Sequence, residues 1–308
     1  IGLLFVSGGV AEEIALDLTQ LARFETASSL CWLDDSLYVL GNKGVYSWKS
    51  GSEKMNTVID LTAASNYDYV QDCPEDESEA VVWNQMLQLI FTDGETLYGL
   101  HPYSGMIKKI EGNTQTNVAE IQQEYLYSED MEAYREIRQA VYTDKKLYLL
   151  LGTDTYEEYD KTELCAFDLD TSEMELVDIE GVNSIMLGAE GLLIQTNDAL
   201  SGVAQYDVES GTLGEEVLTV GEDERIAGVA WDAVDQRYVR FVQGQVVTCD
   251  ANGNEIAKAY IPVFDATENV PAACSATGLY ALANGRYIFI RDITGDEAAR
   301  RFLPSQDI

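Results

Sequence analysis

The sequence is short of the residues from which most chemistry is built. It holds one histidine, five prolines, and 19 lysines and arginines against 54 aspartates and glutamates, a formal net charge of −35. With one histidine, a Ser-His-Asp triad or a His-ligated metal would have to use His101, which precedes Pro102 at the end of a strand-like run. There it reads as a partly exposed residue on the side of the short turns. G-x-S-x-G and H-E-x-x-H strings are absent, as are Walker and Rossmann glycine patterns, so those routes to catalysis and nucleotide binding have no support in the sequence. The acidic excess opposes binding to nucleic acid and to anionic lipid. No apolar run approaches the ~18 residues needed to span a bilayer. Five cysteines, Cys31, Cys73, Cys165, Cys249 and Cys274, make no CxxC pair and no metal-site spacing. Four fall in strand-like runs as small buried residues; Cys73, in an acidic Asp-Cys-Pro loop, is the candidate free thiol. The chain starts at Ile1, which leads us to expect a processed or excised product whose signal or lipid-attachment segment would lie upstream.

What the chain has in quantity is self-similarity. The phrase GVAQYDVESGTLGEEV, residues 202–217, is an alternating strand, a tight turn and a second strand. Related phrases start at Gly2, Gly44, Thr96, Glu163, Gln245 and Arg286, so that successive starts are 42, 52, 67, 39, 43 and 41 residues apart. That period is that of a four-stranded propeller blade. The expected fold is all-β: one β-propeller over 1–308, of four-stranded antiparallel blades, with one short helix in a loop insertion. A half blade at 1–18 is followed by full blades at 28–61, 80–110, 139–179, 182–220, 226–261 and 272–303. The ring closes at seven if residues beyond the chain complete the half blade, or at six if the N-terminal hairpin joins the last blade.

The run GVAWDAVDQRYVRFVQGQVVTCDANGNEI, residues 228–256, resembles the blades of quinoprotein-like, YVTN and NHL-type bacterial propellers. In these an aliphatic strand ends in Asp and a later strand ends in Asp-x-x-x-Gly. The likeness covers nearly the whole chain and is one of architecture. A WD40 match is poor, with a single Trp231-Asp232 pair and no Gly-His element. The blades and acidity also resemble propeller domains beside solute-binding modules in secreted bacterial lipoproteins, which implies an extracellular or cell-surface location.

The repeats differ in their connections. Strands alternate in direction, so the loops between second and third strands and those between blades share one face. The long insertions 62–79, 111–138 and 152–162 all belong to that set, and long loops on a rigid scaffold commonly carry function. They interleave tyrosine with carboxylates. The candidate ligand-binding residues are Tyr67, Tyr69, Tyr125, Tyr127, Tyr156, Tyr159, Asp154, Glu157 and Asp160, a mixture that suits a carbohydrate, a small polar solute or a partner protein. The plainer reading is that these tyrosines pack the loops onto the blades. Within 128–137, Ser128 would cap a short helix with Met131, Tyr134 and Ile137 facing inward. No cofactor is expected. Calcium is the one ion that Asp154, Glu157, Glu158 and Asp160 would suit, but Asp250, Asn252 and Asn254 complete no calcium-loop string and Asn252-Gly253 reads as a hairpin turn. The expected function is a non-catalytic binding propeller acting through the acidic, Tyr-rich loops. Its alternative is a carbohydrate-active hydrolase or lyase with paired carboxylates near the central channel.

Overall fold

The computed structural model describes residues 19–23, 27–41, 43–61, 87–101, 104–128, 133–153, 162–196, 202–219, 221, 226–242, 245–260, 271–284, 287–292 and 306–307. The half blade expected over 1–18 and the whole of the 62–79 insertion, Cys73 included, lie outside these.

Among the described residues, after β1 (Thr19–Arg23), the strands fall into six sheets. Five are built of strands consecutive in sequence. The first has β2 (Ala27–Leu33), β3 (Ser36–Gly41), β4 (Gly44–Lys49) and β5 (Asn56–Asp60). The second has β6 (Leu89–Thr92), β7 (Leu97–Leu100), β8 (Met106–Glu111) and β9 (Thr114–Glu120). A short helix, α1 (Gln123–Leu126), leads to the third, made of β10 (Tyr127–Ser128), β11 (Ala133–Thr143), β12 (Lys146–Thr153), β13 (Thr162–Phe167) and β14 (Met174–Val177). The fourth holds β15 (Val182–Gly188), β16 (Gly191–Thr196), β17 (Val203–Asp207) and β18 (Thr212–Leu218). The fifth holds β19 (Ile226–Asp232), β20 (Arg237–Val242), β21 (Gln245–Asp250) and β22 (Glu255–Tyr260). The last sheet joins the two ends of the chain: β23 (Ala272–Cys274), β24 (Leu279–Asn284) and β25 (Tyr287–Asp292) are completed by β1, antiparallel to β25, and by β26 (Gln306–Asp307).

The first strands of the sheets, β2, β6, β11, β15, β19 and β23, touch one another in a closed circuit, so the molecule is a β-propeller. A ring of seven is not formed among the described residues: the strand that precedes Ala27, β1, pairs with β25 in the last sheet.

Burial follows from the repetition. Each sheet covers its faces with its neighbours, so the core is a series of layers between sheets and not one central mass. Cys31, Leu40, Val45 and Ile59 of the first sheet meet Ile90, Leu97 and Ile110 of the second. Equivalent layers join the second to the third sheet around Phe91, Leu147 and Phe167, the third to the fourth around Tyr148 and Ile185, and the fourth to the fifth around Leu193 and Tyr238. Outer strands have solvent on one side and need few apolar residues. β9, with the sequence TQTNVAE, is mostly exposed. It occupies part of the segment that reads as a linker over 111–138, and the same segment corrects the helix: α1 lies at 123–126, and 133–143 is a strand.

The recurring aspartates at strand ends fasten the turns. Asp207 accepts the Ser210 hydroxyl at 2.8 Å and the Glu209 N–H at 2.9 Å. Asp250 accepts Asn254 Nδ2 at 3.0 Å and the Asn252 and Asn254 N–H groups at 2.9 Å, while Gly253 takes φ +81°. The string Asp250 to Asn254 is therefore a hairpin turn closed by its own carboxylate. Hydrogen bonds from Ser210 and from Asn254 hold the carboxyls of Asp207 and Asp250 below their usual range. A carboxyl whose pKa is lowered by folding contributes stability above its unfolded pKa of about 3.9 and loses it as pH falls through the folded value. Repulsion among the other carboxylates relaxes over the same range, so the contribution is read as a difference. The Tm of an Asp207→Asn, Asp250→Asn double variant is expected to lie below that of the parent at pH 6, and the gap to close as the pH is lowered towards 3; a gap that stays constant with pH contradicts this account.

Candidate functional site

Four inner strands start with the same irregularity. The pairing register shifts by one residue around Ser28 in β2, Arg138 in β11, Asn183 in β15 and Ala227 in β19, a β-bulge near the start of each strand. A bulge bends its strand and re-aims the extra side chain. Ser28, Arg138 and Ala227 in consequence line a cavity of about 260 Å³ on the ring axis, whose wall is contributed by the first strands of all six sheets.

The residue after the bulge ties one sheet to the next. Ser29 Oγ donates to the Ile90 carbonyl at 3.0 Å and accepts the Ile90 N–H at 3.1 Å. Gln139 donates through Nε2 to Ser184 Oγ at 3.1 Å and accepts the Ile185 N–H at 2.8 Å. Both amide ends of Gln139 are thus engaged in the framework, and Trp32 Nε1 makes the matching link from the first sheet to the last, to the Ala273 carbonyl at 3.1 Å. Most of the remaining wall is apolar, with Leu89, Ile90, Ala140, Met186 and Ala273 among its residues. Of the described residues along the wall, Arg138 alone is charged.

Arg138 has a prepared bed. A Cβ added to Gly152 would lie 2.0 Å from Arg138 Nε and 2.3 Å from Cζ, so the arginine side chain rests directly on the glycine backbone. Gly152 pairs with Glu136 on one side and Thr162 on the other, two residues before the bulge and at the root of the 154–161 segment. Nothing larger than glycine fits beneath the guanidinium there.

Of the sequence-derived candidates, Tyr67, Tyr69, Asp154, Tyr156, Glu157, Tyr159 and Asp160 lie outside the described residues. Tyr125 is half-buried against the layer between the second and third sheets; its hydroxyl donates to the Met174 carbonyl at 3.0 Å and its own carbonyl accepts from Arg135 at 3.3 Å. It is engaged as a packing residue. Tyr127, at 36% exposure, is the described candidate open to solvent. Neither lines the axial cavity.

His101 departs from expectation twice. It is buried at 3% exposure, and it stands between the second and third strands of its sheet, at the end of the ring from which 154–161 also leaves. The cause is β9: once 114–120 is a strand, every strand before it moves one place inward. The ring Nδ1 accepts the Ser104 N–H at 3.1 Å and lies 2.9 Å from Ser104 Oγ. A backbone donor into Nδ1 fixes this histidine as the lock of a tight turn at Gly105, φ +66°, and the pair is not on the cavity wall.

No family model matches the chain, and no curated protein does. Solved structures do. A gluconolactonase of Xanthomonas campestris superposes with a TM-score of 0.59 at 10% identity, over 89% of this chain and 88% of that one. Regucalcin from Agrobacterium tumefaciens, a calcium-binding protein, gives 0.56 at 12% identity over 89% and 92%. The β-propeller domain of Cps50 (Swd1) from Myceliophteria thermophila gives 0.52 at 13% identity over 90% and 100%. At these identities the likeness establishes the fold. It gives no support to the first expectation of function, a non-catalytic propeller working through Tyr-rich loops, since a gluconolactonase is among the structures of this shape.

Proposed function

We propose that the chain is a hydrolase that takes a small carbohydrate-derived ring, a sugar lactone foremost, into the axial cavity. The observation that carries the reading is the cavity itself, about 260 Å³ of mostly apolar wall with a small number of polar side chains, the composition of a small-molecule site. The shared fold with a gluconolactonase supports it.

A lactone is preferred over a glycoside because the described wall holds no carboxylate. Glycoside cleavage needs one carboxyl to protonate the leaving oxygen and another on the opposite side of the bond. A lactone carbonyl accepts water without that protonation. A calcium site needs six to eight oxygen ligands. Among the described residues no group of three or more His, Cys, Asp or Glu could hold a metal ion; Asp154, Glu157, Glu158 and Asp160, which would suit calcium, lie outside them.

The test is turnover. A panel of aldonolactones is followed by acid release with a pH indicator, on the parent chain and on Ala140→Phe, which puts a ring into the cavity from β11. Saturable turnover by the parent, reduced at least about 100-fold in a variant whose Tm is within a few degrees, is expected from the exclusion of substrate. No turnover above the uncatalysed rate overturns the proposal, as does a folded Ala140→Phe variant with parental activity.

A further inference from the structure

We infer that a ring in the axial cavity is held through its hydroxyls by main chain, the open N–H and C=O groups of Leu30, Ala140 and Val229 on alternate sheets; the inference rests on the reading of the cavity as the substrate site. In an antiparallel ladder every second residue turns its N–H and C=O away from its partner strand. On an innermost strand the other edge is open at this level, β10 meeting β11 only at Ala133 and Tyr134, so those groups face the axis. Ile185, two residues after the bulge at Asn183, is such a residue, since its N–H leaves the sheet to reach Gln139 Oε1 at 2.8 Å. Leu30, Ala140 and Val229 stand two residues after the bulges at Ser28, Arg138 and Ala227, so their main-chain groups point the same way. All three residues line the cavity.

The inner edges divide into sealed and open ones. A seal comes from the sheet before: Ser29 covers both main-chain groups of Ile90, and Gln139 covers the N–H of Ile185. By the same spacing, the seals of Ala140, Val229 and Leu30 would come from Leu89, Ser184 and Ala272. Leu89 and Ala272 have no polar side-chain atom, and Ser184 Oγ already accepts from Gln139 Nε2 at 3.1 Å. Among the described residues no hydrogen bond beyond the ladders reaches Leu30, Ala140 or Val229.

Leu30 and Val229 are buried and Ala140 is half-buried. Buried main-chain groups are almost always paired, with protein, ligand or water. The three open edges belong to the first, third and fifth sheets, so they are spread around the axis, and each offers one donor and one acceptor. A carboxylate only accepts and an ammonium only donates, and either leaves half of the set unmet. A hydroxyl does both. A ring with several hydroxyls therefore meets these edges where a singly charged ligand does not.

The experiment uses the full chain and two unreactive probes, 1,5-anhydroglucitol and tetrahydropyran-2-methanol, which is the same ring without its ring hydroxyls, with affinity by calorimetry. The polyol is expected to bind at least about tenfold more tightly, the net worth of a few neutral hydrogen bonds. Ala272→Ser and Leu89→Ser place a hydroxyl where Ser29 has one, sealing Leu30 and Ala140; each is expected to weaken the polyol about fivefold and to leave its analogue unchanged. Ala272 is half-buried and the added group is one oxygen, so the sheet survives, as its Tm will report. An ester in place of the amide at Ala140 removes that N–H without touching a side chain, and weakens the polyol alone. Equal binding of the two probes, the result if water alone meets these groups, overturns the inference, as does binding of neither. A preference unchanged in folded Ala272→Ser and in the Ala140 ester overturns it too. Polyol-selective binding with no lactone turnover upholds this inference and removes the hydrolase reading; turnover of lactones with no polyol preference does the reverse.

Discussion

A chain shortened to begin at Ala27 is expected to unfold at a Tm on the order of 10 °C below the parent and to self-associate. The loss is β1, whose residues pair with β25 at Thr19↔Ile290, Gln20↔Phe289, Ala22↔Ile288 and Arg23↔Tyr287. Four ladder pairs at about 1 kcal/mol each come to ~4 kcal/mol, and for a chain of this size a kilocalorie shifts Tm by about 2–4 °C. The consequence goes beyond lost bonds. Without β1 the strand Tyr287–Asp292, with the sequence YIFIRD, becomes a free edge rich in β-branched and aromatic residues, the kind that pairs with other chains. A synthetic peptide of residues 17–26 added in trans should restore the monomer by strand addition. Light scattering and thermal unfolding check both parts. The ring has a second closure, the contact of β2 with β23 and the Trp32 bond to Ala273, which holds the inner circuit but leaves that edge open. A truncated chain that stays monomeric with the parental Tm shows that this inner contact suffices, and the role given to β1 is then wrong.

How much of this can be read in the sequence depends on whether a feature is local. The blades that are most legible repeat an aliphatic strand, an aspartate and a glycine, and each carries its own cause: Asp207 and Asp250 close turns within four residues of themselves. The closing strand is not legible, because Thr19–Arg23 has a partner some 270 residues away and nothing local that distinguishes it. β9 escapes for a different reason. An outer strand with one buried residue in seven lacks the alternation by which strands are recognised, and taking it as linker misplaces His101 on the ring. In 133–143, Tyr134 and Ile137 fall at a helical spacing, and the bulge at Arg138 breaks the two-residue period a strand would show. The same bulge hides the candidate site. Arg138 reads as the last polar residue of a linker, and only the pairing of β11 with β12 shows it at the bulge of an inner strand, over a glycine. The signal that could have found it is weaker but present: the run Arg135-Glu136-Ile137-Arg138-Gln139 puts polar residues at the start of an inner strand, a place where a propeller meets its channel.

Replacing Asp232 with alanine is expected to cost about 3 kcal/mol, and its replacement with asparagine appreciably less. Asp232 ends β19 and is fully buried; one carboxylate oxygen accepts the Val234 and Asp235 N–H groups at 3.0 and 3.3 Å, and the other accepts Arg237 Nε at 3.1 Å. Alanine strands two backbone donors and breaks a buried charge pair at once, a loss that runs to 3–5 kcal/mol where both partners are buried. Here the lower end applies, since Arg237 is 22% exposed and holds Asp235 as well, at 2.7 Å. Asparagine keeps an acceptor for the backbone donors and gives up the charge, so the difference between the two variants measures the turn and the remainder measures the pair. The turn includes Gln236 at φ +49°, a conformation that a non-glycine residue holds only when its neighbours fix it, and Asp232 and Arg237 face each other across its base. Thermal unfolding of the two variants should give a Tm drop of about 6 °C for alanine and a smaller one for asparagine. Equal drops assign the effect to the charge pair, and an unchanged Tm in the alanine variant refutes the account.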